Sequence, residues 1–137
     1  MGNESKTYQL KIQFKNDNEE VIRRIRIFGE DTFDDLSKSI LESIEFEQDQ
    51  LYAFSLDDDF FGPYSYHIHP DLDQDSTSIT LNETGIRKGQ RIRYLYDFKV
   101  EWEFDIIVEE IKSTDKYEKI AIIESVGKLK QNYKSKS

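Results

Sequence analysis

Residues Tyr8-Gln9-Leu10-Lys11-Ile12-Gln13-Phe14-Lys15 alternate apolar and polar without a break, the period-two signature of a strand with one buried face. Asn16-Asp17-Asn18 then supplies turn chemistry, since Asn and Asp tolerate left-handed backbone and bond their own main chain. Val21 to Phe28 resumes as a second strand, in which Ile25 and Ile27 alternate with Arg24 and Arg26. The pattern predicts a β-hairpin, and a hairpin with one apolar face needs a second layer to cover it. The next segment provides that layer. Asp31 or Thr32 can cap a helix there, and Asp34 and Asp35 sit near the positive end of its dipole. Phe33, Leu36, Ile40, Leu41 and Ile44 recur at helical spacing, so one face packs on the hairpin until the helix ends near Glu45.

Beyond the helix the pieces are shorter. Tyr52 to Leu56 reads as a strand, Asp57-Asp58-Asp59 with Gly62 and Pro63 as a turn, and Tyr66-His67-Ile68 as a return strand. Asp71 to Ser78 is polar and acidic, a loop by composition. Ile79-Thr80-Leu81 leads into a single helical turn around Asn82 to Gly85, and Arg87-Lys88-Gly89-Gln90 turns into the alternating strand Arg91 to Tyr96. Glu101 to Ile111 is a further strand with Trp102, Phe104, Ile106 and Val108 on one face, and Ile120 to Ile123 is placed to pair with it. At 137 residues there is room for one core, and nine Phe, eight Tyr and one Trp supply its apolar area. The expected organisation is a flexible N-terminus over residues 1–7, a single α+β domain over 8–127, and a basic mobile tail over 128–137.

Several chemistries are disfavoured by composition. Without cysteine there is no thiolate nucleophile, no disulfide and no sulfur-ligated zinc. No apolar run approaches the ~20 residues that span a bilayer, and the start is polar, so the reading is of a soluble cytoplasmic protein without a membrane partner. A net charge of −9 opposes diffuse attraction to nucleic-acid phosphates. The charge is unevenly spread: fifteen acids against Lys38 alone between Glu30 and Glu83, and eighteen bases against thirteen acids elsewhere.

The order of hairpin, helix, strand, acidic stretch and closing strand is similar to the β-grasp arrangement of ubiquitin-like proteins. It implies a β-grasp-like mixed sheet with one main helix and an extra C-terminal hairpin carrying Trp102. Tyr94-Leu95-Tyr96-Asp97-Phe98, followed by Trp102-Glu103 and a hydrophobic strand ending at Glu109, resembles the signature of the plasmid pRi ORF-three-like family, also labelled a TnpR-type passenger of insertion elements. The segments "IRRIRI" from Ile22, "DTFDDLSKSILESI" from Asp31 and "LYAF" from Leu51 extend the resemblance over Tyr8 to Ile111. Lys99 and Val100 replace the family's Gly-Asp pair, and Phe104 stands where a His falls. Tyr52 and Ala53 occupy the neighbourhood of a second His, and no Cys-Pro motif closes the chain. The resemblance implies no defined activity, and these departures imply that a polar site, if the family has one, is largely lost here.

His67, His69, Asp71, Asp73 and Asp75 form the cluster with metal-ligand chemistry, since histidines at i and i+2 share a strand face and imidazole with carboxylate suits zinc. Asp71-x-Asp73-x-Asp75 also copies the opening of an EF-hand loop, but Ser76 replaces the required glycine and Asn82 the bidentate glutamate. A solvated acidic loop accounts for the same residues, so no metal and no cofactor is expected. Arg24, Arg26, Arg91 and Arg93, with Arg23, Arg87 and Lys88, would form a basic strip beside Tyr94 and Tyr96 if their strands were neighbours, the mixture a single-stranded nucleic acid uses. Pairing of those arginines with nearby acids is the simpler expectation. No Gly-x-Ser-x-Gly turn or phosphate-binding glycine loop is present, so no catalytic residue is assigned. The sequence thus favours a non-enzymatic domain with an unknown protein partner. A nucleic-acid-associated accessory protein linked to mobile elements comes second, and a metal-dependent enzyme third.

Overall fold

The computed structural model describes residues 5–15, 20–56, 65–69, 74–75 and 79–129. The chain begins with the expected hairpin, β1 (Ser5–Lys15) and β2 (Glu20–Phe28), paired from Thr7 opposite Phe28 to Lys15 opposite Glu20. The helix α1 (Phe33–Ser43) starts where the sequence places it: the Thr32 side chain accepts from the Asp35 amide, and the Asp35 carboxylate accepts from the Thr32 amide. β3 (Tyr52–Ser55), β4 (Ser65–His69) and the two-residue β5 (Gln74–Asp75) follow. The short α2 (Leu81–Thr84) has its own capping box on Thr80 and ends in left-handed Gly85. β6 (Arg91–Tyr96), β7 (Trp102–Thr114) and β8 (Ala121–Val126) complete the order. The result is an α+β architecture in which the strands of the described residues run β5-β4-β3-β6-β7-β1-β2-β8.

Two expectations about that sheet are corrected. Every pairing among the described residues is antiparallel, so the sheet is not mixed. The strand carrying Trp102 is not an added edge hairpin: β7 lies in the middle, hydrogen-bonded to β6 on one side and β1 on the other. With both its edges taken, β7 cannot accept β8, which pairs with β2 instead. Two ion pairs reinforce that choice, as Arg24 of β2 meets Glu124 of β8 and Arg26 meets Glu118 just before it.

One sheet face carries the core. Tyr8, Leu10 and Ile12 of β1, Ile25 and Ile27 of β2, Tyr94 of β6 and Phe104, Ile106 and Val108 of β7 are at most 2% exposed, and Phe33, Leu36, Ile40 and Leu41 of α1 close over them. Aromatic rings stack through the centre, with Phe54 between Phe33 at 4.9 Å and Tyr94 at 4.6 Å. Two bulges interrupt the ladders. On β7 the register slips opposite Gln9 and Leu10, leaving Glu109 as the extra residue, and on β8 it slips opposite Arg24 and Ile25, leaving Ile123.

Candidate functional site

The face turned away from α1 is built by the alternate residues of the same strands. On β6 it presents Arg91 and Arg93, on β7 Glu103, Asp105 and Glu109, on β1 Gln9, Lys11 and Gln13, on β2 Arg24 and Arg26, and on β8 Glu124. The face is therefore basic on β6, acidic on β7 apart from Ile107, basic on β1 and β2, where Lys11 stands opposite Arg24, and acidic again on β8, and cross-strand contacts join the opposite charges. Arg91 donates to Asp105 at 2.9 Å, and Arg93 pairs with Glu103 and lies 3.5 Å from Asp105. The bulge aims Glu109 at two donors at once, Gln9 Nε2 at 3.0 Å and Arg24 Nε at 3.0 Å. The Arg24 hydrogen bond, helped by that from Gln9, holds the Glu109 carboxyl below its usual range.

The four arginines of the expected strip thus share one face but not one edge. β7 and β1 stand between β2 and β6, a separation of roughly 14 Å at the ordinary strand spacing. Each guanidinium is in an ion pair. A half-open depression of about 180 Å³, lined by Arg91, Arg93, Glu103, Phe104 and Asp105, marks the β6–β7 side of this surface. It is below the ~300 Å³ at which small-molecule pockets begin.

Arg23 departs from the strip altogether. It lies on the core face and is 5% exposed. Its Nε donates to the Ser43 carbonyl at 3.0 Å, Nη1 to the Ile22 and Val126 carbonyls at 2.8 and 2.9 Å, and Nη2 to the Gly127 carbonyl at 3.0 Å. Burial lowers the pKa of this guanidinium, and Glu45 opposes the shift. A signal for this was present in the sequence, because Arg23 is in phase with Val21, Ile25 and Ile27 rather than with Arg24 and Arg26.

The residues that carry the family resemblance are structural in position. Tyr94 is fully buried with its hydroxyl 2.6 Å from Ser37 Oγ, and burial pushes its phenol well above the ordinary range. Tyr96, also fully buried, donates its hydroxyl to the Glu47 carbonyl and accepts from the Asp49 and Gln50 amides at 3.0 and 3.2 Å. Asp97 is 1% exposed with φ +66°, and its Oδ1 accepts from the Lys99 and Val100 amides at 3.1 and 3.3 Å. Phe98 is half-buried in the same turn, and the Trp102 ring packs on Phe14 at 5.5 Å and Phe46 at 5.0 Å. Together they fasten the turn between β6 and β7 and dock the segment after α1 onto it.

His67 and His69 fall on β4 and Asp75 on β5, where Ile68 stands opposite Asp75 and His69 opposite Gln74. Asp71 and Asp73, like Asp57-Asp58-Asp59, lie outside the described residues. Among the described residues, no group of three or more His, Cys, Asp or Glu is placed to hold a metal ion, and no helix is long and apolar enough to cross a membrane.

The model of a family described as plasmid pRiA4b ORF-3-like protein matches residues 6–129. Among solved structures, the chain is similar in fold to a protein of unknown function from Methanosarcina mazei Go1, with a TM-score of 0.70 and 23% identity over 88% of this chain and 69% of that one. No curated protein matches at a significant level.

Proposed function

This chain belongs to the plasmid pRiA4b ORF-3-like protein family, and from that premise we propose that it is a non-enzymatic protein-interaction domain docking through the outer face of β7, β1 and β2. The observation that carries the reading is the fixed pattern of charged rows on that face, acidic on β7 and β8 and basic on β6, β1 and β2. Such rows select a partner by register and sign more than by strength. Pairing also supports a protein over a nucleic acid, because arginines already neutralised by Glu103, Asp105, Glu109 and Glu118 offer little net attraction to phosphate. The order hairpin, helix, strand and closing strand further supports descent from a β-grasp scaffold into which β7 has been inserted between β1 and β6. The residues of the family signature then hold the scaffold together.

The test uses the whole chain as bait in a lysate of its source, with and without nuclease, beside the variant Lys11→Glu, which reverses a charge in the middle of the face. Recovery of a defined protein that survives nuclease and is lost with Lys11→Glu, while circular dichroism shows the variant folded, supports the reading. Recovery that nuclease abolishes overturns it in favour of a nucleic-acid-associated accessory protein of mobile elements.

A further inference from the structure

Among the described residues, β8 is the last strand of the sheet and is held on one side, by β2. From Ile122 to Val126 all of its residues are exposed, with Ile122 and Ile123 each 44% and Val126 42%. Few apolar contacts therefore anchor it, which is the property of segments that open without global unfolding. What fixes it is specific. The buried Arg23 guanidinium needs the Val126 and Gly127 carbonyls. Gly127 has φ +77°, and a Cβ there would stand 2.4 Å from the Glu20 carbonyl oxygen. Arg24 and Arg26 meet Glu124 and Glu118 across the same seam.

These requirements define what can occupy the β2 edge: an apolar strand with an acid opposite Arg24, a second acid just before it within reach of Arg26, and a closing glycine with two carbonyls turned to Arg23. A strand lacking them would leave a buried cation without acceptors. We propose that β8 is exchangeable and that its replacement is β8 of a second copy of this chain, giving a dimer in which each copy completes the other's sheet. The connection over residues 115–120 is the hinge, and the contacts that β8 itself makes with β2 and Arg23 in the closed monomer are remade in the exchanged form. Addition of a further strand outside β8 is a poorer route to the same dimer, because the bulge at Ile123 interrupts that edge. The inference shares Arg24 and Arg26 with the outer-face reading but does not depend on it, since the β2–β8 ladder and the core-facing Arg23 carry it.

The test exploits the absence of native cysteine. Arg26 and Ala121 face each other across β2 and β8, so Arg26→Cys with Ala121→Cys can be oxidised to report which chain supplies β8. A second version also deletes Asp115 and Lys116, which shortens the hinge, disfavours folding back and drives exchange. The expected result is a species of doubled mass by light scattering, more abundant in the shortened chain and at higher concentration, that remains a covalent dimer after oxidation and denaturation. Either of two results overturns the exchange: single-copy mass for the shortened chain at every concentration, or dimers that denature to internally cross-linked single chains.

Discussion

Replacing Arg23 with methionine removes a single side chain that reaches three separate parts of the fold. The guanidinium donates to four carbonyls, those of Ile22, Ser43, Val126 and Gly127, at 2.8–3.0 Å. Methionine matches the length of the stem, so the apolar packing is largely kept, and the loss is polar. A carbonyl stranded in a buried position costs about 1–3 kcal/mol. Not all four are stranded alike: Val126 and Gly127 are exposed, so water reaches their carbonyls, whereas Ile22 and Ser43 are half-buried. Relief of the guanidinium's own desolvation works in the opposite direction. The balance is a destabilisation of about 2–3 kcal/mol, which at roughly 3–4 °C per kcal/mol for a chain of this length lowers the thermal midpoint by about 6–12 °C. Circular dichroism melting measures that value, and amide hydrogen exchange adds location. Protection should vanish first in β8 and in the last turn of α1, and last in β1 and β7. A midpoint within a degree or two of the parent, or uniform loss of protection, would refute the assignment of Arg23 as the fastener of β8.

Three further outcomes are expected. Gly29→Ala should destabilise, because its Cβ would sit 2.1 Å from Asn82 Oδ1, and Asn82→Ala in the same chain should recover part of the loss even though Asn82 bonds Tyr8 and Ser5; chemical unfolding of the single and double variants decides. Tyr94→Phe should cost about 1–3 kcal/mol by orphaning Ser37 Oγ, while adding Ser37→Ala should be nearly neutral on that background, a comparison that a double-mutant cycle makes directly. Asp31, whose carboxyl is held above its usual range by burial and by Asp35, and Glu109, held below it by Arg24, should respond to pH in opposite senses. The raised group contributes stability below its unfolded pKa that is lost as pH rises through the folded value, so Asp31→Asn should raise the melting temperature at neutral pH and lose that advantage below the ~3.9 of free Asp. The depressed group contributes above its unfolded pKa and loses that contribution as pH falls through the folded one, so Glu109→Gln should weaken the protein at neutral pH and not at the acid end.

The local elements were legible because each is written in a short window. The hairpin, the Thr32 cap, the apolar stripe of α1 and the strand Arg91–Tyr96 stand where periodicity and capping place them. Strand order was not legible, because alternation states which face is buried but not which edge meets which. Nothing within Glu101 to Ile111 announces that both its edges will be filled. Two finer features did leave traces. The apolar phase of β7 shifts from Val108 to Ile111, an odd step that marks the bulge at Glu109, and the phase of Arg23 marks it as inward-facing. The outer face could be read only as polar: its cross-strand pairs join residues up to 100 positions apart, such as Arg24 and Glu124.

The central position of β7 also governs when the molecule can form. β1 makes its longest ladder with a strand ninety or more residues downstream, from Phe14 opposite Phe104 to Ser5 opposite Thr114. The hairpin and α1 are local and can assemble early, yet their seam toward β7 stays open until β7 itself has been made. Closing a loop of that size is slow, and the exposed edge of β1 is meanwhile a template for pairing with other nascent chains. On a ribosome, the interval between the synthesis of Lys15 and the emergence of Thr114 is the window in which this protein is most exposed to aggregation and in which a chaperone would matter most.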